Sequence, residues 1–282
     1  MSNPVILPSE IPNNQHNKNA ALLYIGSYNS AGRPSIHALT LDLSQQQFSL
    51  VTQDSQTDNA SFLLYQADRA QLFAVSEINQ ADGANSGWVA QYDLSHPAQP
   101  KLMQRQLSQG SDPCQLAWLK QHLLCANYSG GNFSQFNLTH QSELTNAQHT
   151  LQHHGSSVVA DRQSQAHVHS CTPAPSGEYF VVADLGADEI VSYSIDATGT
   201  IAKKSSLKMP AGSGPRHSAF HPSGDTLYVA NELNNSLSQV QFNQATGELT
   251  LLLSLPALAP SNQDHSYPAE VVVDKRGQFL YL

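Results

Sequence analysis

A short apolar segment recurs through the chain at intervals of roughly fifty residues. Six copies share a pattern of aliphatic and aromatic residues that usually ends in small or polar ones. They are LLYIGSY from 22, QLFAVSE from 71, HLLCANY from 122, EYFVVADL from 178, DTLYVANEL from 225 and QFLYL from 278. We call these segments the signature strands, because such composition beside turn residues is typical of strands. Any fold for this chain has to repeat one structural unit along its length.

Each unit contains more than one strand. Several signature strands follow a turn such as APSGEY or HPSGDT, and several precede a second alternating run such as WVAQYDL, EIVSYSI or SLSQVQF. Alternation with period two predicts strands with one buried face, and a short polar connection predicts a hairpin. Further candidate strands, among them KLMQRQL and LTLLLSL, bring the content to about four per unit, which is typical of a propeller blade. Amphipathic helical stretches are not evident.

The repeat predicts an all-β fold, a β-propeller. A four-stranded sheet of this size cannot bury its faces alone, and radial stacking protects the sheet edges. A β-sandwich or two stacked β-domains would leave the period unexplained. We expect a polar N-terminal segment over 1–21 and the propeller over 22–282. Because the last signature strand ends the sequence and the residues before Leu22 are too polar for a blade, we expect five to six blades, with the C-terminal blades missing.

Composition narrows the possible partners. The 282 residues carry a net charge of -9 with 13 lysines and arginines, which argues against nucleic acid or an anionic membrane as a partner. Neither a signal peptide nor an apolar run long enough to span a bilayer is evident, so we expect a cytoplasmic protein. The three cysteines, Cys114, Cys125 and Cys171, show no CxxC spacing and are predicted to be buried free thiols.

Polar residues mark the ends of the signature strands. We expect these strands to line the central channel, so that Glu77, Asn127, Asp184 and Glu232 occupy equivalent positions and converge there. A structural alternative is a polar cap on each strand end, which for Asn127 and Asp184 is as reasonable as a functional role. Glu232 differs, because Arg216 and His217 precede the strand of the same blade, and a carboxylate can orient a guanidinium or help to position water.

Two histidines precede the fourth signature strand. His167 and His169 are two residues apart, so in an extended segment both point the same way. A zinc site is one interpretation, but no third ligand has suitable spacing, and we predict neither a metal nor a cofactor. His169 is expected at the blade position equivalent to His217, and His221 is expected to be structural. The motifs GxSxG, GxxxxGK[ST] and GxGxxG do not occur, and NYSGGN is predicted to form a hairpin turn.

The sequence resembles the seven-bladed β-propeller lactonase family, which includes propeller-type 6-phosphogluconolactonases and a fungal carboxymuconate cyclase. The resemblance runs from Leu22 to the last residue, and it is carried by IGSYN, ANYSGGNFS, HVHSCTPAPSGEYFVVADLGADEI, GSGPRHSAFHPSGDTLYVANELNNSLS and AEVVVDKRGQFLY. In that family the blades continue past the position of Leu282 and include a late arginine-bearing strand. The resemblance implies that His169, Arg216 and Glu232 are catalytic. Substrate binding is expected of His217, Glu77, Asn127 and His167.

The resemblance implies hydrolysis of a sugar δ-lactone, with 6-phospho-D-glucono-1,5-lactone of the pentose phosphate pathway as the expected substrate. Such a reaction needs a base for water and a fixed positive donor for the tetrahedral oxyanion. His169 is the expected base, Arg216 the oxyanion or phosphate ligand, and Glu232 the group that orients one of them. Two alternatives stay open: a cyclase or lactonase for a carboxylated, muconate-type ring compound, and a non-catalytic propeller that binds a sugar or a protein.

Overall fold

The computed structural model describes residues 5–6, 20–196, 198–259 and 266–282. Over these ranges the strands form five four-stranded antiparallel sheets and one two-stranded pair, each built from consecutive strands. This arrangement confirms the all-β prediction. Of the predicted N-terminal segment 1–21, only residues 5–6 and 20–21 belong to the described part, and Val5–Ile6 pairs with the first signature strand.

The four-stranded sheets are meanders that follow the repeat. The first contains β1 (Val5–Ile6), β2 (Ala20–Gly26), β3 (Ile36–Asp42) and β4 (Gln47–Asp54). The second contains β5 (Leu63–Gln66), β6 (Gln71–Ser76), β7 (Trp88–Asp93) and β8 (Lys101–Leu107), with a single 3₁₀ turn, Ala67–Arg69, between β5 and β6. The third contains β9 (Pro113–Leu119), β10 (His122–Asn127), β11 (Asn132–Asn137) and β12 (His149–Gln152).

The remaining strands repeat the same order. The fourth sheet contains β13 (Val168–Pro173), β14 (Tyr179–Asp184), β15 (Glu189–Ile195) and β16 (Ile201–Lys208). The fifth contains β17 (Pro215–Phe220), β18 (Thr226–Asn231), β19 (Ser236–Phe242) and β20 (Leu249–Pro256), and the last pair contains β21 (Val272–Val273) and β22 (Leu280–Tyr281).

The signature strands are second in their sheets, so the expectation that they line the channel is wrong. The first strands lie nearest the axis, since β13 contacts both β9 and β17 in the adjacent sheets. Every residue of β6, β10 and β14 is buried. The physical reason is that an apolar run without alternation is suited to burial on both faces, and a strand between two others inside stacked sheets has that environment.

Aromatic side chains fill the space between neighbouring sheets. Phe133 of the third sheet contacts Phe180 and Tyr193 of the fourth with ring centroids 5.5 and 5.2 Å apart. Burying such rings stabilises the stack by about 1.5–3 kcal/mol each. All three cysteines are buried and free, as predicted. Stacking of this kind holds the first strands in a fixed relation, which is what a site shared between sheets requires.

Candidate active site

A cavity of about 540 Å³ is lined by residues from every sheet or from the loop next to it. Its size lies within the range of roughly 300–1,000 Å³ that is common for small-molecule sites. Five of the seven predicted site residues line it. They are Glu77, His169, Arg216, His217 and Glu232. The ring arrangement therefore does bring together residues that are far apart in the sequence.

Two positions in each repeat supply most of this wall. Val168 pairs with Asp184 at the end of the fourth sheet, and Pro215 pairs with Asn231 at the same place in the fifth. Residues that lie the same number of positions from such a pair are equivalent between sheets. The first position, in or just before the first strand, contains Ser61, Cys114, His169 and Arg216. The second, directly after the second strand, contains Glu77, Tyr128, Leu185 and Glu232. Of these eight residues, all but Leu185 line the cavity.

The predicted equivalence of Asn127 and Asp184 with Glu77 and Glu232 is wrong by one residue. Asn127 is the last paired residue of β10 and is fully buried inside the blade. Its Nδ2 donates hydrogen bonds to the carbonyl oxygen of Ser108 at 3.0 Å and to Oδ1 of Asn132 at 2.7 Å. Successive residues of a strand face opposite ways, so Tyr128, not Asn127, reaches the cavity wall. Asn127 therefore has a structural environment.

The predicted equivalence of His169 with His217 is also wrong by one residue, because Arg216 has the position of His169. Both strands are irregular here: the pairing of β13 shifts between Val168 and Ser170, and that of β17 between Pro215 and Ser218. A bulge of this kind turns neighbouring side chains to the same side. Arg216 and His217 consequently both line the cavity, and the rings of His169 and His217 lie 5.2 Å apart.

His167 lies behind the cavity wall and not in it. Its ring stacks on that of Tyr128 with centroids 4.4 Å apart, and Nδ1 lies 3.0 Å from the carbonyl oxygen of Tyr128. Its backbone N–H donates to the buried carboxylate of Asp184 at 2.8 Å. The two histidines that the sequence places on one face are thus separated, and His167 supports the tyrosine that lines the cavity.

Glu232 binds two arginines at the cavity wall. Its Oε2 lies 2.9 Å from Nε of Arg216, and its Oε1 accepts a hydrogen bond of 2.6 Å from Nη2 of Arg162. Nη2 of Arg162 also lies 3.2 Å from the hydroxyl of Tyr128, and Nη1 of Arg216 donates to the carbonyl oxygen of Ala269. Sequence analysis missed Arg162 because it lies between β12 and β13, outside the repeated strands.

The environment of His169 favours its neutral form. Burial lowers the pKa of this histidine well below 6.5, and the nearby charges of Arg216 and His217 act in the same direction. Nδ1 lies 3.8 Å from Sγ of Cys114, and no described residue hydrogen-bonds to Nε2. Beside it, Nδ1 of His217 lies 2.9 Å from Oε2 of Glu270. The cavity therefore contains a neutral imidazole next to a guanidinium.

A second carboxylate, Glu77, lines the cavity in a different environment. Tyr28 and Ser61 both donate hydrogen bonds from their hydroxyls to Oε2 of this residue. Burial raises the pKa of Glu77, whereas these two hydrogen bonds oppose that effect. Among the residues that the structure describes, no cluster of three or more His, Cys, Asp or Glu side chains could hold a metal ion.

Comparison with known proteins identifies relatives over nearly the whole chain. The family model described as "Lactonase, 7-bladed beta-propeller" matches residues 22–282. A Bacillus subtilis protein named 6-phosphogluconolactonase is 27% identical over 262 residues, which is 92% of this chain and 73% of that protein. An uncharacterised Staphylococcus aureus protein is 29% identical over 264 residues, covering 92% and 74% of the two chains.

Solved structures give the same fold. A putative 6-phosphogluconolactonase from Bacteroides fragilis superposes with a TM-score of 0.83 at 23% identity, over 95% of this chain and 76% of that one. A Pseudomonas aeruginosa protein named as a periplasmic gluconolactonase superposes with a TM-score of 0.82 at 23% identity, over 93% and 75% of the two chains. At this level of identity the superpositions establish the fold alone.

Proposed function

The chain belongs to the seven-bladed β-propeller lactonase family, and on that premise we propose that its cavity hydrolyses the ring ester of 6-phospho-D-glucono-1,5-lactone. The observation that carries the proposal is the carboxylate of Glu232 between two guanidiniums, those of Arg216 and Arg162, on the wall that also bears His169. A base, a fixed cation and an anion-binding group are the parts that such a reaction needs.

In this proposal His169 accepts the proton of the attacking water. A base has to be unprotonated before the reaction, and the lowered pKa of His169 keeps the imidazole in that form at neutral pH. As water adds to the carbonyl carbon, negative charge develops on the carbonyl oxygen. The guanidinium of Arg216 is the group that stabilises it, and Glu232 and the carbonyl oxygen of Ala269 hold that guanidinium in place.

The substrate's phosphate is assigned to Arg162, which shares the Glu232 carboxylate with the oxyanion donor Arg216. The cluster of Arg162, Arg216 and Glu232 has one more positive than negative group. An anionic substituent is therefore favoured next to it and not next to the carboxyl groups of Glu77 and Glu270 on the same cavity. A carboxylate satisfies the same requirement, so a muconate-type lactone is the alternative substrate. In a non-catalytic propeller the same residues would bind a ligand without accelerating ring opening.

A panel of lactones tests the proposal. Purified protein is incubated with 6-phospho-D-glucono-1,5-lactone, D-glucono-1,5-lactone and a carboxylated muconolactone, and acid release is followed against the spontaneous rate. Preference for the phosphorylated lactone supports the assignment, and preference for the muconolactone replaces it. Rates equal to the spontaneous ones for all three reject catalysis.

A cytoplasmic location and a role in the pentose phosphate pathway belong to the same proposal. Among the described residues no helix has the length and apolar character to cross a bilayer. Fractionation of cells that express the natural protein tests the location: recovery with cytoplasmic markers supports it, whereas recovery in a periplasmic or extracellular fraction overturns it.

A further inference from the structure

Only one of the two carboxyl oxygens of Glu77 accepts hydrogen bonds from described residues. Oε2 accepts a hydrogen bond of 2.7 Å from the hydroxyl of Tyr28 and another from Oγ of Ser61. Within the described residues Oε1 has no hydrogen-bond partner, although Glu77 lines the cavity. The two oxygens of this carboxyl group are therefore not equivalent.

The main chain of Glu77 is held by Asn59. Its N–H donates to the carbonyl oxygen of Asn59 at 3.1 Å, and its own carbonyl oxygen accepts a 3.2 Å hydrogen bond from Nδ2 of Asn59. In the side chain, Tyr28 and Ser61 hold Oε2. Oε1 is the oxygen left for a molecule in the cavity.

This geometry decides where a proton on the carboxyl group resides. An oxygen that already accepts two O–H donors is a poor site for a proton, because the added hydrogen would face those donors. A protonated Glu77 therefore carries its hydrogen on Oε1. Burial also raises the pKa of Glu77, which increases the fraction of the protein in which that hydrogen is present.

We propose that Glu77 is the general acid of the reaction and that its Oε1 gives a proton to the ring oxygen of the lactone. This inference rests on the proposed lactone hydrolysis, because it concerns the leaving group of that reaction. Glu232 is not available for the task, since each of its oxygens is paired with an arginine.

The proton balance of the step is complete. The oxygen of water forms a bond to the carbonyl carbon while its proton moves to His169. The bond between that carbon and the ring oxygen then breaks, and the ring oxygen takes the Glu77 proton to become a hydroxyl. His169 then releases its proton, Glu77 takes one up, and the new carboxylic acid ionises. One lactone and one water therefore become one hydroxycarboxylate and one proton that leaves to solvent.

The leaving group provides the test. A sugar alkoxide is strongly basic and benefits from protonation as it departs, whereas a phenolate, with a conjugate acid of pKa about 10, leaves without help. We would compare Glu77→Gln with wild type on glucono-1,5-lactone and on dihydrocoumarin, a δ-lactone whose leaving group is a phenolate. Glu178→Gln is the control, because Glu178 is exposed and lies away from the cavity.

For Glu77→Gln, kcat on gluconolactone should fall about 10²-fold or more, and kcat on dihydrocoumarin less than about threefold. Equal losses on both lactones would overturn the assignment while leaving the proposed hydrolysis intact. If wild type hydrolyses none of the three lactones, that is gluconolactone, dihydrocoumarin and the phosphorylated lactone, the proposed function itself is rejected.

The pH profile gives a second test that holds even if dihydrocoumarin is too slow a substrate. An acid must be protonated, so the rate on gluconolactone should fall as pH rises through the pKa of Glu77. The variant Tyr28→Phe removes a hydrogen bond that favours the ionised form, so this alkaline limb should move to higher pH. An unmoved limb in Tyr28→Phe, or one that persists in Glu77→Gln, rejects Glu77 as the acid.

Discussion

Nε of Arg216 lies 2.9 Å from Oε2 of Glu232. The arginine is in the first strand of the fifth sheet and the glutamate directly follows the second, so the pairing of β17 with β18 sets their separation. The other oxygen of Glu232 reaches Arg162, which belongs to the loop before β13. This carboxylate therefore joins one blade to the loop of its neighbour, and it holds two cations that would otherwise repel each other.

Glu232→Gln should lower kcat/KM for the phosphorylated lactone by about 10²-fold, because both guanidiniums lose the charge that orients them. The free energy of unfolding should fall by only about 1–2 kcal/mol, since the arginines are partly exposed. Steady-state kinetics and urea titration measure the two effects.

The control for this variant is Glu189→Gln, which breaks the surface ion pair of Glu189 with Lys208. It should leave kcat/KM within about twofold of wild type. Wild-type kinetics in Glu232→Gln would show that the arginine pair is not needed for turnover.

His169 should make the protein less stable in mild acid. Its pKa is lowered in the folded state, so below pH about 6.5 the unfolded chain binds a proton that the folded protein does not. The free energy of unfolding therefore falls as pH drops through that value, by up to about 1.4 kcal/mol per pH unit from this group.

Urea titrations between pH 5 and 7 measure this slope. In His169→Gln the slope should be smaller by about 1.4 kcal/mol per pH unit, which corresponds to one bound proton. An identical slope in wild type and His169→Gln would contradict the neutral state of the buried imidazole.

Asn127 and Tyr128 are adjacent in the sequence but have different environments. Substitution of Asn127 should affect stability, and substitution of Tyr128 should affect binding. Asn127→Ala leaves Oδ1 of Asn132 without its donor and removes one of the two side-chain hydrogen bonds to the carbonyl oxygen of Ser108. It should cost about 1–3 kcal/mol of stability. The folded fraction should keep its KM.

Tyr128→Phe removes the hydroxyl next to Arg162 and should do the reverse: raise KM about two- to fivefold with little change in the free energy of unfolding. Urea titration and initial rates on both variants separate the two roles. A raised KM in Asn127→Ala together with an unchanged one in Tyr128→Phe would restore the original assignment.

The sequence predicts the blades well because their signals are local. Alternating runs and turn residues define each strand, and the period defines the stacking. Register is harder to predict, because nothing local in the sequence marks the last paired residue of each strand. Cys114 and Tyr128 fall at cavity positions only when the repeats are aligned on that residue, and alignment on the polar strand ends is wrong by one position. The contact between Glu232 and Arg162 could not be predicted from the repeat, because Arg162 lies in the connection between β12 and β13, outside the repeated strands.

Cys114 should be chemically inert in the native protein although it lines the cavity. Burial raises the pKa of its thiol well above the usual value, so little thiolate is present at pH 7. Iodoacetamide followed by mass spectrometry should label Cys114 in urea and not in buffer, with Cys125 as an internal control, since its pKa is raised by burial as well. Rapid native labelling of Cys114 alone would show that its thiol is activated.

Arg162 decides between phosphate and other anions in the proposed site. Its guanidinium is bound to Glu232 and Tyr128 but remains partly exposed at the cavity, so it can still contact an anionic substituent. Arg162→Ala should lower kcat/KM for 6-phosphogluconolactone about tenfold, the effect of one charge-assisted hydrogen bond of about 1.4 kcal/mol. For gluconolactone, which has no phosphate, the change should be less than about twofold.

Arg162→Lys separates charge from geometry, because an ammonium keeps the charge and loses the planar pair of donors. It should recover only part of the preference for the phosphorylated lactone. Arg33→Ala, at an exposed arginine away from the cavity, is the matched control and should behave as wild type. Equal losses on the two lactones in Arg162→Ala would mean that this arginine supports the site as a whole and does not bind the phosphate.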